Sequence, residues 1–124
     1  MKRFVIGALG ALAAASIATP AMAQAERCTR ERLKEVADQY RAAQKSGQAI
    51  MHLRPMGEWV TYNENFEISS MTFGGVIASP QKVDWDRSFY DTVGCMVYVE
   101  SIITNPEHPY VLATMIRAIG SPGS

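Results

Sequence analysis

A tyrosine, a glutamate and an asparagine stand close together at Tyr62, Glu64 and Asn65. On a strand the first two share a face, so a phenol and a carboxylate would converge as hydrogen-bond donor and general base. The plainer reading has Glu64 and Asn65 satisfying backbone groups at a strand end. Asp84, Asp86 and Asp91 place three carboxylates within eight positions. Asp84 and Asp86 point the same way on a regular strand, and Asp91 takes the other parity, beside Trp85 and Phe89. A carboxylate among apolar side chains can serve as a general base. Otherwise these are surface groups, one of them paired with Arg87. The candidate catalytic set is Tyr62, Glu64 and Asp91.

Other chemistry finds less support. His108 sits in a proline-flanked turn, where a side chain is normally solvated, and His52 lies near a predicted helix end. The two are far apart, and no His-x-His or His-Glu-x-x-His spacing occurs, so no metal site is expected. Met51, Met56, Met71, Met96 and Met115 are scattered, which suits flexible core filler better than copper ligands. There is no Gly-x-Ser-x-Gly elbow and no phosphate-binding glycine loop. Hydrolase and nucleotide-enzyme readings fall away, and no cofactor is expected.

The chain opens Met1-Lys2-Arg3, continues with an apolar run from Phe4 to about Ile17, and reaches Ala21-Met22-Ala23. This is the pattern of a secretory signal peptide, residues 1–23, cut after Ala23. The run is short and rich in Ala and Gly, which argues against a transmembrane anchor. A secreted or periplasmic protein is expected, with no membrane attachment after cleavage. Residues 24–124 then form one small domain. Lys2 and Arg3 leave with the leader, so acidic residues exceed basic ones by two. With no basic cluster left, nucleic acid and anionic membranes are poor partners. Cys28 and Cys95 are the two cysteines. In an oxidising compartment they favour a disulfide, worth about 3–4 kcal/mol in the chain-entropy model. Two free thiols, a catalytic cysteine and a metal site are the alternatives.

Helical spacing of Leu33, Val36, Ala37, Tyr40 and Ala43 predicts an amphipathic helix over Thr29–Ser46, with Thr29 as N-cap and Gly47 as C-terminal cap. Gln48–Leu53 adds a turn before Arg54-Pro55-Met56-Gly57 breaks it. Glu58–Asn65 reads as a strand. Phe66–Pro80 fits a short helix or a loop over the sheet. Strands follow at Gln81–Asp91, with Gly94 allowing a bend, and at Cys95–Asn105 and Tyr110–Ala118. The last two form a hairpin around Asn105-Pro106-Glu107-His108-Pro109. A helix followed by antiparallel strands predicts an α+β fold with the helix packed on a curved sheet.

Cys28, Ala37-Asp38-Gln39-Tyr40, Ala43-Gln44, Gly47, Tyr62-Asn63-Glu64-Asn65, Arg87-Ser88, Asp91-Thr92, Cys95, Glu100 and His108-Pro109-Tyr110 occur in that order. Together they resemble a family of secreted bacterial and fungal proteins in the SnoaL-like, or nuclear transport factor 2-like, superfamily. The resemblance covers nearly all of residues 24–124. It implies a cone-shaped α+β fold whose pocket, between helices and sheet, takes small apolar molecules, binding or isomerising, cyclising or dehydrating them. The expected ligand is a small apolar or aromatic organic molecule, lined by Tyr40, Trp59, Asn65, Trp85, Phe89 and Tyr98. Two functions are open: a binding module, or a cofactor-independent acid–base enzyme using Glu64 or Asp91 with Tyr62. Such domains continue past the His-Pro-Tyr strand with a further strand. The sequence is therefore expected to lack its last strand, leaving the edge of Tyr110–Ala118 free for a homodimer.

Overall fold

The computed structural model describes Thr19, residues 28–53 and residues 61–118. The expected signal peptide, Trp59, the break at Arg54-Pro55-Met56-Gly57 and residues 119–124 lie outside the described residues.

Helix α1 spans Arg30–Ser46. Thr29 opens it: its Oγ1 accepts the Arg32 N–H at 3.2 Å, and Glu31 meets the positive end of the helix dipole. Gly47 closes it in the left-handed conformation, φ 66°, donating its N–H to the Ala43 carbonyl. A Cβ there would stand 2.5 Å from the Pro80 nitrogen, so glycine is required on two counts. Both ends match the sequence expectation. A buried stripe of Leu33, Val36, Ala37, Tyr40, Ala43 and Gln44 runs down one side. Helix α2, Ala49–Leu53, is the extra turn and buries Ala49 and Leu53.

Strands β3 (Trp85–Asp91), β4 (Met96–Ile103) and β5 (Tyr110–Arg117) form an antiparallel sheet in the order β3-β4-β5. With a helix on one face, the domain is α+β. The side-chain period of two decides which residues the helix covers. Val97, Val99, Ser101 and Ile103 of β4 are buried, whereas Met96, Tyr98, Glu100 and Ile102 face away. Through the register, Asp86, Ser88 and Tyr90 of β3 and Leu112, Thr114 and Ile116 of β5 share the covered face. Cys28, just ahead of α1, is bridged to Cys95, just ahead of β4, with Cα atoms 5.1 Å apart. The pairing read from the two cysteines is therefore present, and it ties the helix to the central strand.

Three expectations need correction. The strand over Glu58–Asn65 shrinks, among the described residues, to β1 at Asn63–Glu64, paired with β2 at Glu67–Ile68. Asn65 and Phe66 form the turn between them with φ of 51° and 68°, the pattern of a type I′ hairpin. The strand over Gln81–Asp91 begins only at Trp85, because the Gln81 N–H goes to the Gln44 carbonyl of α1 and the Asp84 carboxylate holds Thr104. Met51 and Met115 are exposed, so core filler does not describe them, although Met71 does pack against the core.

At β5 the Ala118 N–H donates to the Cys95 carbonyl. In an antiparallel ladder that phase turns the main-chain groups of Val111, Ala113, Met115 and Arg117 toward the outer edge. Among the described residues, no strand pairs with that edge.

Candidate functional site

A row of polar side chains crosses the covered face. Gln44, almost fully buried, donates from Nε2 to the Tyr40 hydroxyl at 3.2 Å and to Ser101 Oγ at 3.3 Å. Ser101 Oγ in turn donates to Gln44 Oε1 at 3.3 Å. The Tyr40 hydroxyl reaches Thr114 Oγ1 at 2.7 Å. Helical spacing places Tyr40 and Gln44 one above the other, and strand parity brings Ser101 and Thr114 to meet them. Every buried polar group in this row has a partner, as a low-dielectric interior demands.

The row ends where cover thins. All inner residues of β4 are buried, but Tyr110, Leu112, Thr114 and Ile116 of β5 are only half-buried. Near this strip stand Tyr62 and Glu64. The Tyr62 hydroxyl donates to Glu64 Oε2 at 3.4 Å, and the Val76 N–H shares itself between both Glu64 oxygens at 3.3 Å. Val76 starts a short 3-10 turn, Val76–Ala78, whose preceding Gly75 lies against the pair. A Cβ on Gly75 would come within 2.7 Å of the Ser70 carbonyl oxygen, 3.0 Å of Tyr62 Cε1 and 3.2 Å of Glu64 Oε2.

Burial, with the Glu64 charge next, pushes the Tyr62 phenol up to about 12. Burial likewise raises Tyr40, whose bonds from Thr114 and Gln44 oppose the shift and whose exposure to the Glu64 charge adds to it. Both phenols therefore stay protonated at neutral pH and serve as hydrogen-bond donors. The chemistry on offer is a carboxylate flanked by two protonated phenols at the rim of an apolar strip.

Of the sequence candidates, Tyr62, Glu64 and Tyr40 are brought together. Asp91 is not among them. It ends β3 on the face turned away from α1, and its Oδ1 accepts the Val93 and Gly94 N–H groups at 2.9 and 2.8 Å. Trp85, Phe89 and Tyr98 also lie on that outward face, so the expected aromatic lining beneath the helix is not formed by them. The reason is parity: Val97 and Val99 take the inner positions, which sends Tyr98 and its cross-strand neighbour Phe89 outward. Asn65 is exposed and spent on its turn. Trp59 lies outside the described residues.

The other two candidate aspartates, Asp84 and Asp86, have structural partners. Asp86 pairs with Arg41 of α1, which also reaches Ser88 Oγ at 2.7 Å. Arg87 pairs with Glu100 and not with an aspartate, a correction to the sequence reading. Asp84 accepts from Thr104 through backbone and hydroxyl, which lowers its pKa. Thr114, Gln44 and Ser101 were missed as site residues. Their signal was a polar side chain at an inner position of an otherwise apolar stripe. A shallow hollow of about 300 Å³ at the β4–β5 turn, lined by Ile102, Pro106, Pro109, Tyr110 and Val111 among others, carries no charged side chain. Among the described residues no cluster of His, Cys, Asp and Glu could hold a metal, and no helix is long and apolar enough to cross a membrane. Compared with family models, curated proteins and solved structures, the chain matches none of them.

Proposed function

We propose that this is a secreted binding module, of the SnoaL-like cone type, for a small apolar or aromatic organic molecule. The ligand lies along the half-open inner side of β5, against Leu112, Thr114 and Ile116. Tyr40, Tyr62 and Glu64 supply its polar contacts. The observation that carries this reading is the satisfied row Ser101–Gln44–Tyr40–Thr114, which runs out at the thinly covered strip beside the Tyr62–Glu64 pair. An apolar wall with a few convergent polar groups is the usual composition of such a site. A panel of aromatic alcohols, phenols and lactones should contain members that raise the melting temperature by mass action. Thr114→Val with Tyr62→Phe should weaken that shift at least tenfold. No shift across the panel, or a shift indifferent to both substitutions, would refute the reading.

One observation favours acid–base catalysis as a second reading. Tyr62 is a held proton donor at 3.4 Å from a carboxylate anchored by a backbone N–H. In that case Glu64 takes a proton from the substrate and Tyr62 steadies the developing oxyanion. Glu64→Gln would then abolish turnover of a ligand that still binds. Unchanged turnover in Glu64→Gln would remove the enzymatic reading.

A further inference from the structure

The sheet has two edges, and they are built differently. Its β3 edge carries Asp86, Arg87 and Asp91, charges that discourage a further strand. Strand β5 holds no charge, proline or glycine from Tyr110 to Ile116, and Arg117 stands only at its end. Its outward-turned main-chain groups, at Val111, Ala113, Met115 and Arg117, have no hydrogen-bond partner among the described residues. An unprotected edge of this length is a template for pairing with another strand. Helix α1 packs over β4 and β3, and the inner side chains of β5 stay half-buried beside it.

We infer that this edge pairs with the same edge of a second copy, antiparallel, about a two-fold axis normal to the sheet at Thr114. The phase of the main chain chooses that register. Residues that turn their N–H and C=O groups outward must meet residues that do the same. With the axis at Thr114, Val111 meets Arg117 of the second copy and Ala113 meets Met115 of the second copy. Each pairing occurs twice, so every outward group finds a partner. Moving the axis to Ala113 strands Arg117, and moving it to Met115 strands Val111. The side chains agree with the same register. On the covered face, Leu112 lies opposite Ile116 of the second copy, and Thr114 lies opposite its own counterpart. On the outward face, Ala113 leaves space for Met115 of the second copy, and the Arg117 stem runs along Val111 of the second copy. No like charges oppose one another. An edge that fits itself in this way meets the requirement of a closed two-fold dimer, and the two sheets become one.

Sedimentation equilibrium of the oxidised protein tests the pairing, with substitutions chosen to separate the edge from the sheet face. A dimer is expected, and Ala113→Pro should raise its dissociation constant at least tenfold. Proline removes an N–H that faces outward, so the β4 ladder and the monomer's melting temperature should be retained. Phe89→Ser, two strands away on the outward face, should leave the dimer unchanged. Thr114 and its counterpart form a non-hydrogen-bonded pair with Cα atoms about 4.5 Å apart, within reach of a disulfide. Thr114→Cys should therefore cross-link the dimer on mild oxidation, and Leu112→Cys, about 13 Å from its counterpart, should not. A monomer at every concentration reached overturns the proposal, as does a dimer indifferent to Ala113→Pro, whatever Phe89→Ser does. A dimer that Thr114→Cys fails to cross-link overturns it too, because the register is then a different one. Should Ala113→Pro lower the melting temperature of the monomer, the cross-linking result decides alone.

Discussion

Beneath α1, strand β4 presents Val97, Val99, Ser101 and Ile103; away from it, the same strand presents Met96, Tyr98, Glu100 and Ile102. The covered side is the one with the smaller side chains. Small and β-branched residues let a helix approach closely, and interdigitated packing then excludes water. Polar groups survive there as paired sets, Gln44 with Ser101, Tyr40 with Thr114 and, toward the β3 side, Arg41 with Asp86 and Ser88. The outward side holds the bulk, Trp85, Phe89 and Tyr98, with an ion pair open to solvent. One face has been specified for the interior of this chain, and the other is open to solvent. The first should resist substitution, and the second should tolerate it in the monomer.

The largest test of that contrast is the bridge that pins the covered face. Cys28 and Cys95 are 67 positions apart. Replacing both with serine frees a long loop in the unfolded chain and should cost about 4 kcal/mol in the chain-entropy model. Urea unfolding of the oxidised protein and the double serine variant measures it. A loss below about 1 kcal/mol would mean that α1 is held on the sheet by packing alone.

Next comes a matched pair of truncations. Leu33 is fully buried in α1, and Leu33→Ala should destabilise by about 2–5 kcal/mol through lost burial and a residual cavity. Val111→Ala on the outward face should move stability of the monomer by no more than about 0.5 kcal/mol. Equal losses at the two positions would erase the distinction between the faces.

How far all this could be read from sequence depends on how local each cause is. The helix was legible to the residue, because Thr29, Glu31 and Gly47 act within a turn of their own positions. The β4–β5 hairpin was legible because two prolines and period-two alternation coincide around Asn105–Pro109. Which side of that hairpin faces the helix was not legible. Both faces of β4 and β5 carry apolar residues, and aromatic bulk suggested the wrong side for Trp85, Phe89 and Tyr98. The β1–β2 turn was also hidden, since it needs a phenylalanine at positive φ, where a bulky side chain is seldom found. At the candidate site, the Tyr62–Glu64 pair followed from spacing, but its closeness to Tyr40 and Thr114 depends on contacts across more than 20 positions, which no local pattern encodes.

A smaller effect is expected within the covered face. Gln44→Ala would leave the buried Ser101 hydroxyl without its partner and should cost about 1–3 kcal/mol. Gln44→Leu combined with Ser101→Ala replaces both polar partners by apolar groups and should recover most of that loss. Failure of the double substitution to recover would show that the row does more than satisfy itself. Ligand affinity, measured on the same proteins, would then show whether it also sets the position of Tyr40.

The smallest effect lies at the rim, where the covered face opens. Burial and the Glu64 charge hold the Tyr62 phenol near 12, above the ordinary value of about 10. A group whose folded pKa is raised favours folding while it is protonated. Its contribution is therefore complete below about pH 10 and declines as the pH climbs toward 12. Tyr62 is only half-buried, so solvent screening keeps the stability change small, and the spectroscopic signal is the better measure. Ultraviolet titration of native protein should show late phenolate steps, Tyr40 being raised as well, and Tyr62→Phe should remove one phenolate's worth of the amplitude near pH 12. Glu64→Gln should bring the Tyr62 step to lower pH, because the neighbouring negative charge is gone while burial remains. If the Tyr62 step is unmoved by Glu64→Gln, the carboxylate does not act on the phenol. Tyr62 would then belong to the packed side of the comparison and not to a site.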